Sequence, residues 1–156
     1  MKLGTLCYIE QNNQILMLHR IKKENDMHRG LWVGLGGKIE PGESPEECVI
    51  REVLEESGLT IDAPRMRGIL TFPADGIDED WYVFLFTATA FTGEIASLSC
   101  REGVLKWIHK KDLRALPMHE GDRLFLEWLD ENENGFLSAK CVYAFGRLKG
   151  HTFIRY

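Results

Sequence analysis

The sequence has little of what marks several large classes of protein. Its four cysteines, Cys7, Cys48, Cys100 and Cys141, form no CxxC pair and keep no regular spacing. That excludes a zinc ribbon and a disulfide framework and points to a reducing compartment. The most apolar run, Trp81 to Phe91, falls far short of the ~20 residues that span a bilayer. Glu10 interrupts the amino-terminal segment too early for a secretion signal. Positive charge is also scarce: 19 Lys and Arg stand against 24 Asp and Glu, a net charge of -5. A protein that grips the many phosphates of a nucleic-acid polymer normally carries a basic face. The expectation is a cytoplasmic protein whose partner is a small molecule, with no nucleic-acid polymer and no membrane; monomer and homodimer both stay open.

What is present suffices for one core. Of 156 residues, 44% are hydrophobic and 28% charged, which predicts a single domain over residues 1–156. Alternation in Leu3 to Ile9 and the apolar run Ile15 to Leu18, separated by Gln11-Asn12-Asn13, predict a hairpin. After a polar loop, glycine alternates with bulky residues from Leu31 to Gly37, which marks close approach of another backbone or a ligand. Ser44-Pro45-Glu46-Glu47 reads as a capping-box start, and Gly58 as the stop, of a first helix. Met66 to Phe72, Trp81 to Phe91, Val104 to His109 and a final Phe136 to Phe145 read as strands, with a second helix from about Glu120 to Asp130.

The first helix carries the chemistry. At about 100° per residue, Val49, Ile50, Val53, Leu54 and Ser57 gather on one side, while Glu52, Glu55 and Glu56 share an adjoining arc. Like charges at these spacings cost roughly 0.2–0.5 kcal/mol per pair, and the last helical turn opposes carboxylates. A divalent cation reverses both penalties, and oxygen-only ligands suit Mg²⁺ or Mn²⁺ better than Zn²⁺. The competing reading is a solvated acidic face in which Arg51 pairs with Glu55 at i, i+4.

The spacing around the helix decides between them. Gly37, five residues, Glu43, seven residues, Arg51-Glu52-Val53, one residue, Glu55-Glu56, one residue and Gly58-Leu59 match the Nudix box at every fixed position. The chain thus resembles a Nudix hydrolase, which implies the α/β Nudix fold, an α/β/α sandwich with a mixed sheet. Leu31-Trp32-Val33-Gly34-Leu35-Gly36-Gly37-Lys38, Glu102 to Trp107 and Glu120-Gly121-Asp122 look like the MutT/MutX-type oxidised-purine nucleoside triphosphatases. Phosphate-binding alternatives fail: Ile39 follows Gly37-Lys38 where a P-loop needs Ser or Thr.

The resemblance implies roles residue by residue. Glu52, Glu55, Glu56 and Glu102, with the backbone carbonyl of Gly36, would hold the metal. Glu52 or Glu56 would activate the attacking water. Arg51 would orient a catalytic glutamate and link to Glu43, which braces the loop, while Gly37, Glu43 and Gly58 shape the box. For substrate, Arg20 at the end of an apolar strand and Lys38 in the glycine run are expected at the phosphates. Thr5 and Asp122 match base-contacting positions, and Met27 would cover the base. Val33 stands where some such enzymes place a base-reading asparagine. The expected reaction takes an oxidised purine triphosphate such as 8-oxo-dGTP to the monophosphate and pyrophosphate, a nucleotide-pool sanitation and DNA-repair activity; the alternatives are hydrolysis of another nucleoside diphosphate-X substrate such as ADP-ribose, or a Nudix module that senses a nucleotide without cleaving it.

Overall fold

A computed structural model of the chain describes residues 1–75, 79–95 and 97–156. The expected hairpin forms as β1 (Lys2–Gln11) and β2 (Gln14–His19), turned by Asn12 and Asn13 in the left-handed region. β3 (Trp32–Val33) follows the polar loop, and α1 (Pro45–Ser57) starts and stops where the caps predict. The Ser44 side chain accepts from the Glu47 amide, Glu47 returns to the Ser44 amide, and Gly58 closes the helix at φ 83°. β4 (Thr60–Asp62), β5 (Arg65–Phe72), β6 (Trp81–Ala88), β7 (Ala90–Thr92) and β8 (Val104–His109) lead through a short 3₁₀ helix to α2 (Glu120–Glu131), then β9 (Leu137–Ala144) and β10 (Arg147–Arg155).

The main sheet runs β10-β9-β5-β6-β1-β2-β3, with β8 also paired to β2. It is mixed: β1 lies parallel to β6 and β9 parallel to β5, while the other pairs are antiparallel. One core lies between the sheet and α1, built from Cys7, Ile9, Leu16, Val49, Val53 and Phe86. A second lies on the other face against α2, with Tyr8, Met17, Leu85, Phe125 and Trp128. This is the layered α/β arrangement expected from the sequence.

Three local expectations change. Leu54, expected on the buried side of α1, is 47% exposed, and Cys48 takes its place inside. The run Trp81 to Phe91 is two strands, because after Ala88 the chain leaves the main sheet and β7 pairs with β4 just beyond the helix cap. Phe136 to Phe145 is not the last strand. A two-residue turn of Phe145 (φ 52°) and Gly146 (φ 74°) leads into β10, the geometry that joins antiparallel strands with matching twist. β10 is the open edge of the sheet, with Arg147, Lys149 and Arg155 exposed along it.

The feature that positions the site is a wedge between β1 and β2. These strands pair only at the turn end, at Glu10–Ile15 and Gln11–Gln14. Residues 34–38 fill the gap and bond to β1: the Cys7 amide donates to the Leu35 carbonyl at 2.6 Å and the Thr5 amide to the Gly37 carbonyl at 2.8 Å. Approach is so close that a Cβ at Gly36, already at φ 149°, would lie 2.1 Å from the Thr5 carbonyl oxygen. The alternating glycines therefore mark an approaching backbone. Gly36→Ala is expected to destabilise the protein by about 2–5 kcal/mol, combining overpacking with backbone strain, read as a lower urea midpoint at unchanged m-value.

Candidate active site

α1 lies against this wedge and delivers its carboxylates to the glycine loop. Glu52 sits over Gly37, where a Cβ would fall 2.3 Å from the Glu52 carboxyl carbon. Glu56 Oε1 accepts the Gly36 amide at 3.1 Å. Burial pushes the Glu56 pKa up to about 8, and the charges of Glu102 and Glu52 push the same way against that amide bond. Glu52 is also raised, first by burial and then by Glu55 and Glu102, while Arg51 opposes the shift. Three carboxylates thus repel one another in a partly desolvated cleft, which costs free energy unless a cation enters.

Arg51 braces the loop. Its Nε and Nη2 bind the two Glu43 oxygens at 2.6 and 3.0 Å, Nη1 reaches Glu52 at 2.9 Å, and Nη2 also donates to the Lys38 carbonyl at 3.2 Å. The i, i+4 contact to Glu55 exists but is longer, at 3.4 Å. Arg51 hydrogen bonds, with the Glu40 amide, hold Glu43 down at about 2. A guanidinium bound at both edges ties α1 to the loop before it in a way a lysine cannot copy.

Glu102, on the loop before β8, faces the same cleft and is approached by Arg20 at 3.5 Å and Lys23 at 3.8 Å. Among the described residues no three His, Cys, Asp or Glu side chains converge closely enough to enclose an ion. The donor chemistry nevertheless fits a hard divalent cation, because Glu52 and Glu56 are both held above the ordinary carboxylate range in the cleft that Glu102 also faces, and all three are oxygen ligands. Glu55 stands further out, with a side chain 59% exposed.

The residues expected at the substrate divide between the two faces of the sheet. Arg20 is at the cleft, held by Asp26 at 2.6 Å. Lys38 is exposed at the end of the glycine run. Thr5 is buried on the α1 face, its hydroxyl against Gly37 and the Cys48 thiol. Asp122 is on the α2 face, so the fold does not bring these two side chains together. Asp122 is 8% exposed, and burial alone raises its carboxyl to about 7. Met27 is 81% exposed on the loop between β2 and β3. Sequence reasoning missed the partners that fix this loop. Asp26 accepts the His28 amide, and His28 Nδ1 meets His119 Nε2 at 2.8 Å, at the start of α2. Nothing in a linear pattern joins residues 91 positions apart.

Comparison with known proteins agrees with this geometry. The NUDIX domain model matches residues 2–129. The chain is 36% identical over 142 residues to the uncharacterized Nudix hydrolase YvcI of Bacillus subtilis, covering 89% of this chain and 85% of that protein. It is 38% identical over 95 residues to the oxidized purine nucleoside triphosphate hydrolase of Danio rerio, covering 61% of this chain and 59% of that relative. The crystal structure of a MutT protein from Bacillus halodurans superposes with a TM-score of 0.87 at 30% identity, covering 98% of this chain and 97% of that one. The chain belongs to the Nudix hydrolase family. It is a pyrophosphohydrolase by fold and family, and its named relatives include hydrolases of oxidized purine nucleoside triphosphates, ADP-ribose and NAD-capped RNA.

Two outcomes follow from the site. Arg51→Lys keeps the charge but breaks the two-edged contact, and is expected to lower kcat by ~10²-fold with a small change in melting temperature. Glu56 has a folded pKa of about 8 against 4.5 for the free side chain, so its contribution is fully present below the lower value and is lost as pH rises through the upper one. In metal-free protein, Glu56→Gln should therefore match wild type near pH 4.5 and become more stable by about 2–4 kcal/mol above pH 8. Denaturant titrations across that range check it, and parallel curves would remove the desolvated carboxylate.

Proposed function

We propose that the protein hydrolyses a purine nucleoside triphosphate, with an oxidised purine such as 8-oxo-dGTP preferred, to the monophosphate and pyrophosphate. Mg²⁺ or Mn²⁺ would be held by Glu52, Glu56, Glu102 and the Gly36 carbonyl, with Glu55 at the outer edge. Residues 1–156 act as one unit in this reading, since β9 lies in the sheet beside β5, and pool sanitation places it in the cytoplasm.

The observation that carries the substrate choice is Asp122. Buried to 8% exposure and raised to about 7, it offers one donor and one acceptor when protonated. Guanine presents two acceptors at O6 and N7, whereas oxidation at C8 turns N7 into an N–H donor. A neutral carboxylic acid matches the oxidised edge with two complementary hydrogen bonds and the normal edge with one. The likeness to the Danio rerio enzyme supports the same substrate class.

For the reaction, a bound divalent cation would neutralise the polyphosphate, polarise the attacked phosphorus and lower the pKa of its water. Glu56 is the better proton acceptor of the two candidates. Its Oε1 accepts the Gly36 amide, Oε2 remains for the attacking water, and among the described residues no cation hydrogen-bonds it as Arg51 does Glu52, Arg20 acting on it only from a distance. Arg20 lies beside Glu102 and would meet the phosphates, with Lys38 adding positive charge. Thr5 supports the loop through Gly37, and Met27 closes over the base from the solvent side.

Chelation by EDTA should abolish turnover and Mg²⁺ restore it; full activity without metal would sink the mechanism. Glu56→Gln and Glu52→Gln should each lower kcat by ~10²-fold or more. The substrate is tested by comparing 8-oxo-dGTP, dGTP and ADP-ribose at equal Mg²⁺ while resolving the products. A higher kcat/KM for ADP-ribose overturns the proposal. Asp122→Leu, which removes both the donor and the acceptor, should shift the ratio between 8-oxo-dGTP and dGTP by roughly tenfold or more, whereas Asp122→Asn, an amide with one donor and one acceptor, should preserve it. An unchanged ratio in folded Asp122→Leu removes Asp122 from base recognition.

A further inference from the structure

A cavity of about 680 Å³ opens on the α2 face, under the carboxyl-terminal half of that helix. It lies at the opposite end of β1 from the catalytic wedge: Glu10 lines it, whereas Thr5 contacts Gly37, a separation of about 16 Å along the strand. Its apolar wall includes Ile15, Leu113 and Leu126, and Tyr8 also lines it. The Tyr8 hydroxyl is buried and has no hydrogen-bond partner among the described residues.

The charges are sorted by depth. Arg67 is 5% exposed and donates from Nε to the Gly135 carbonyl and from Nη2 to the Asn132 carbonyl, beyond the end of α2. Half-buried Arg123 donates to the Arg114 and Leu116 carbonyls. Neither forms an ion pair with a carboxylate among the described residues, although Glu133 acts on Arg67 from a distance and the Arg67 guanidinium stands 5.4 Å from the Trp128 ring centroid. The acids are outside: Glu127, Asp130 and Glu133 are exposed, and Lys110 already engages Glu10 at 2.7 Å and Asp130 at 3.3 Å. A cation at the end of α2 is favourable for the helix, which accounts for Arg67's position but not for the open volume or its unused Nη1 donors.

We propose that this cavity is a second ligand site, separate from the catalytic cleft, for an organic monoanion with a flat apolar body and one sulfonate or carboxylate head. The body packs against Ile15 and Leu126, and the head faces Arg67 and Arg123. The outer acids repel dianionic and polyanionic ligands, which separates this site from one that binds triphosphates.

Titration of the full chain with anilinonaphthalene sulfonate, an aromatic monoanion, tests it by fluorescence and by amide chemical shifts. One equivalent should bind, with shifts centred on Thr87, Ala88, Arg123 and Leu126. Thr87→Phe fills the lining from a strand position that tolerates an aromatic residue and should abolish binding. Arg123→Gln should weaken it by about tenfold or more. Both variants should keep wild-type turnover of nucleotide. Shifts confined to residues 36–56, binding by Thr87→Phe equal to wild type, or no binding at millimolar probe would overturn the proposal. Should Arg123→Gln fail to fold, the wild-type shift map and Thr87→Phe decide the matter alone.

Discussion

The catalytic cleft depends on one close approach, that of residues 34–38 to the backbone of β1. The hydrogen bonds from Cys7 and Thr5 to Leu35 and Gly37 hold the loop where the Gly36 amide meets Glu56 and where Glu52 fills the space above Gly37. Any side chain at Gly36 would strike the Thr5 carbonyl. The glycines thus serve packing first and chemistry as a result, because only a loop without Cβ atoms brings a helix of carboxylates within reach of a backbone carbonyl.

That geometry concentrates negative charge in a partly desolvated place. Two cationic systems handle it differently. Arg51 binds Glu43 on one side and Glu52 on the other, and fixes geometry whether or not a ligand is present. Arg20 and Lys23 stand loosely by Glu102, on a loop anchored through Asp26, His28 and His119. The first arrangement is rigid and local in sequence, while the second is long-range and suited to exchanging one anionic partner for another. Stability is given up at Glu56 for function, a usual compromise at sites that must bind charge.

Much of this was legible in the sequence, for identifiable reasons. α1 announced both ends because its caps are local: Ser44, Glu47 and Gly58 act within one turn. The wedge was legible through glycine alternation, since a missing Cβ has few causes in an extended segment. Leu54 misled because a wheel assigns sides without knowing how wide the covered stripe is, and Cys48 filled the narrower one. β10 escaped because only Leu148 and Phe153 along it are half-buried, leaving no apolar stripe, and its turn uses Phe145 instead of Asn or Asp before glycine. The separation of Thr5 from Asp122 was hidden because strand parity and sheet order together decide which face each residue meets.

The open edge at β10 has a consequence for behaviour at high concentration. Nine residues of unpaired strand are an invitation to add another copy of the chain by backbone pairing. Antiparallel addition centred on His151 would place Arg147 of one copy opposite Arg155 of the other, with further positive charge from Lys149 close by. Such an overlay is electrostatically self-rejecting. This edge carries positive charge at Lys149 and Arg155, with Arg147 held by Glu120 at 2.9 Å, and that charge disfavours pairing with a second copy.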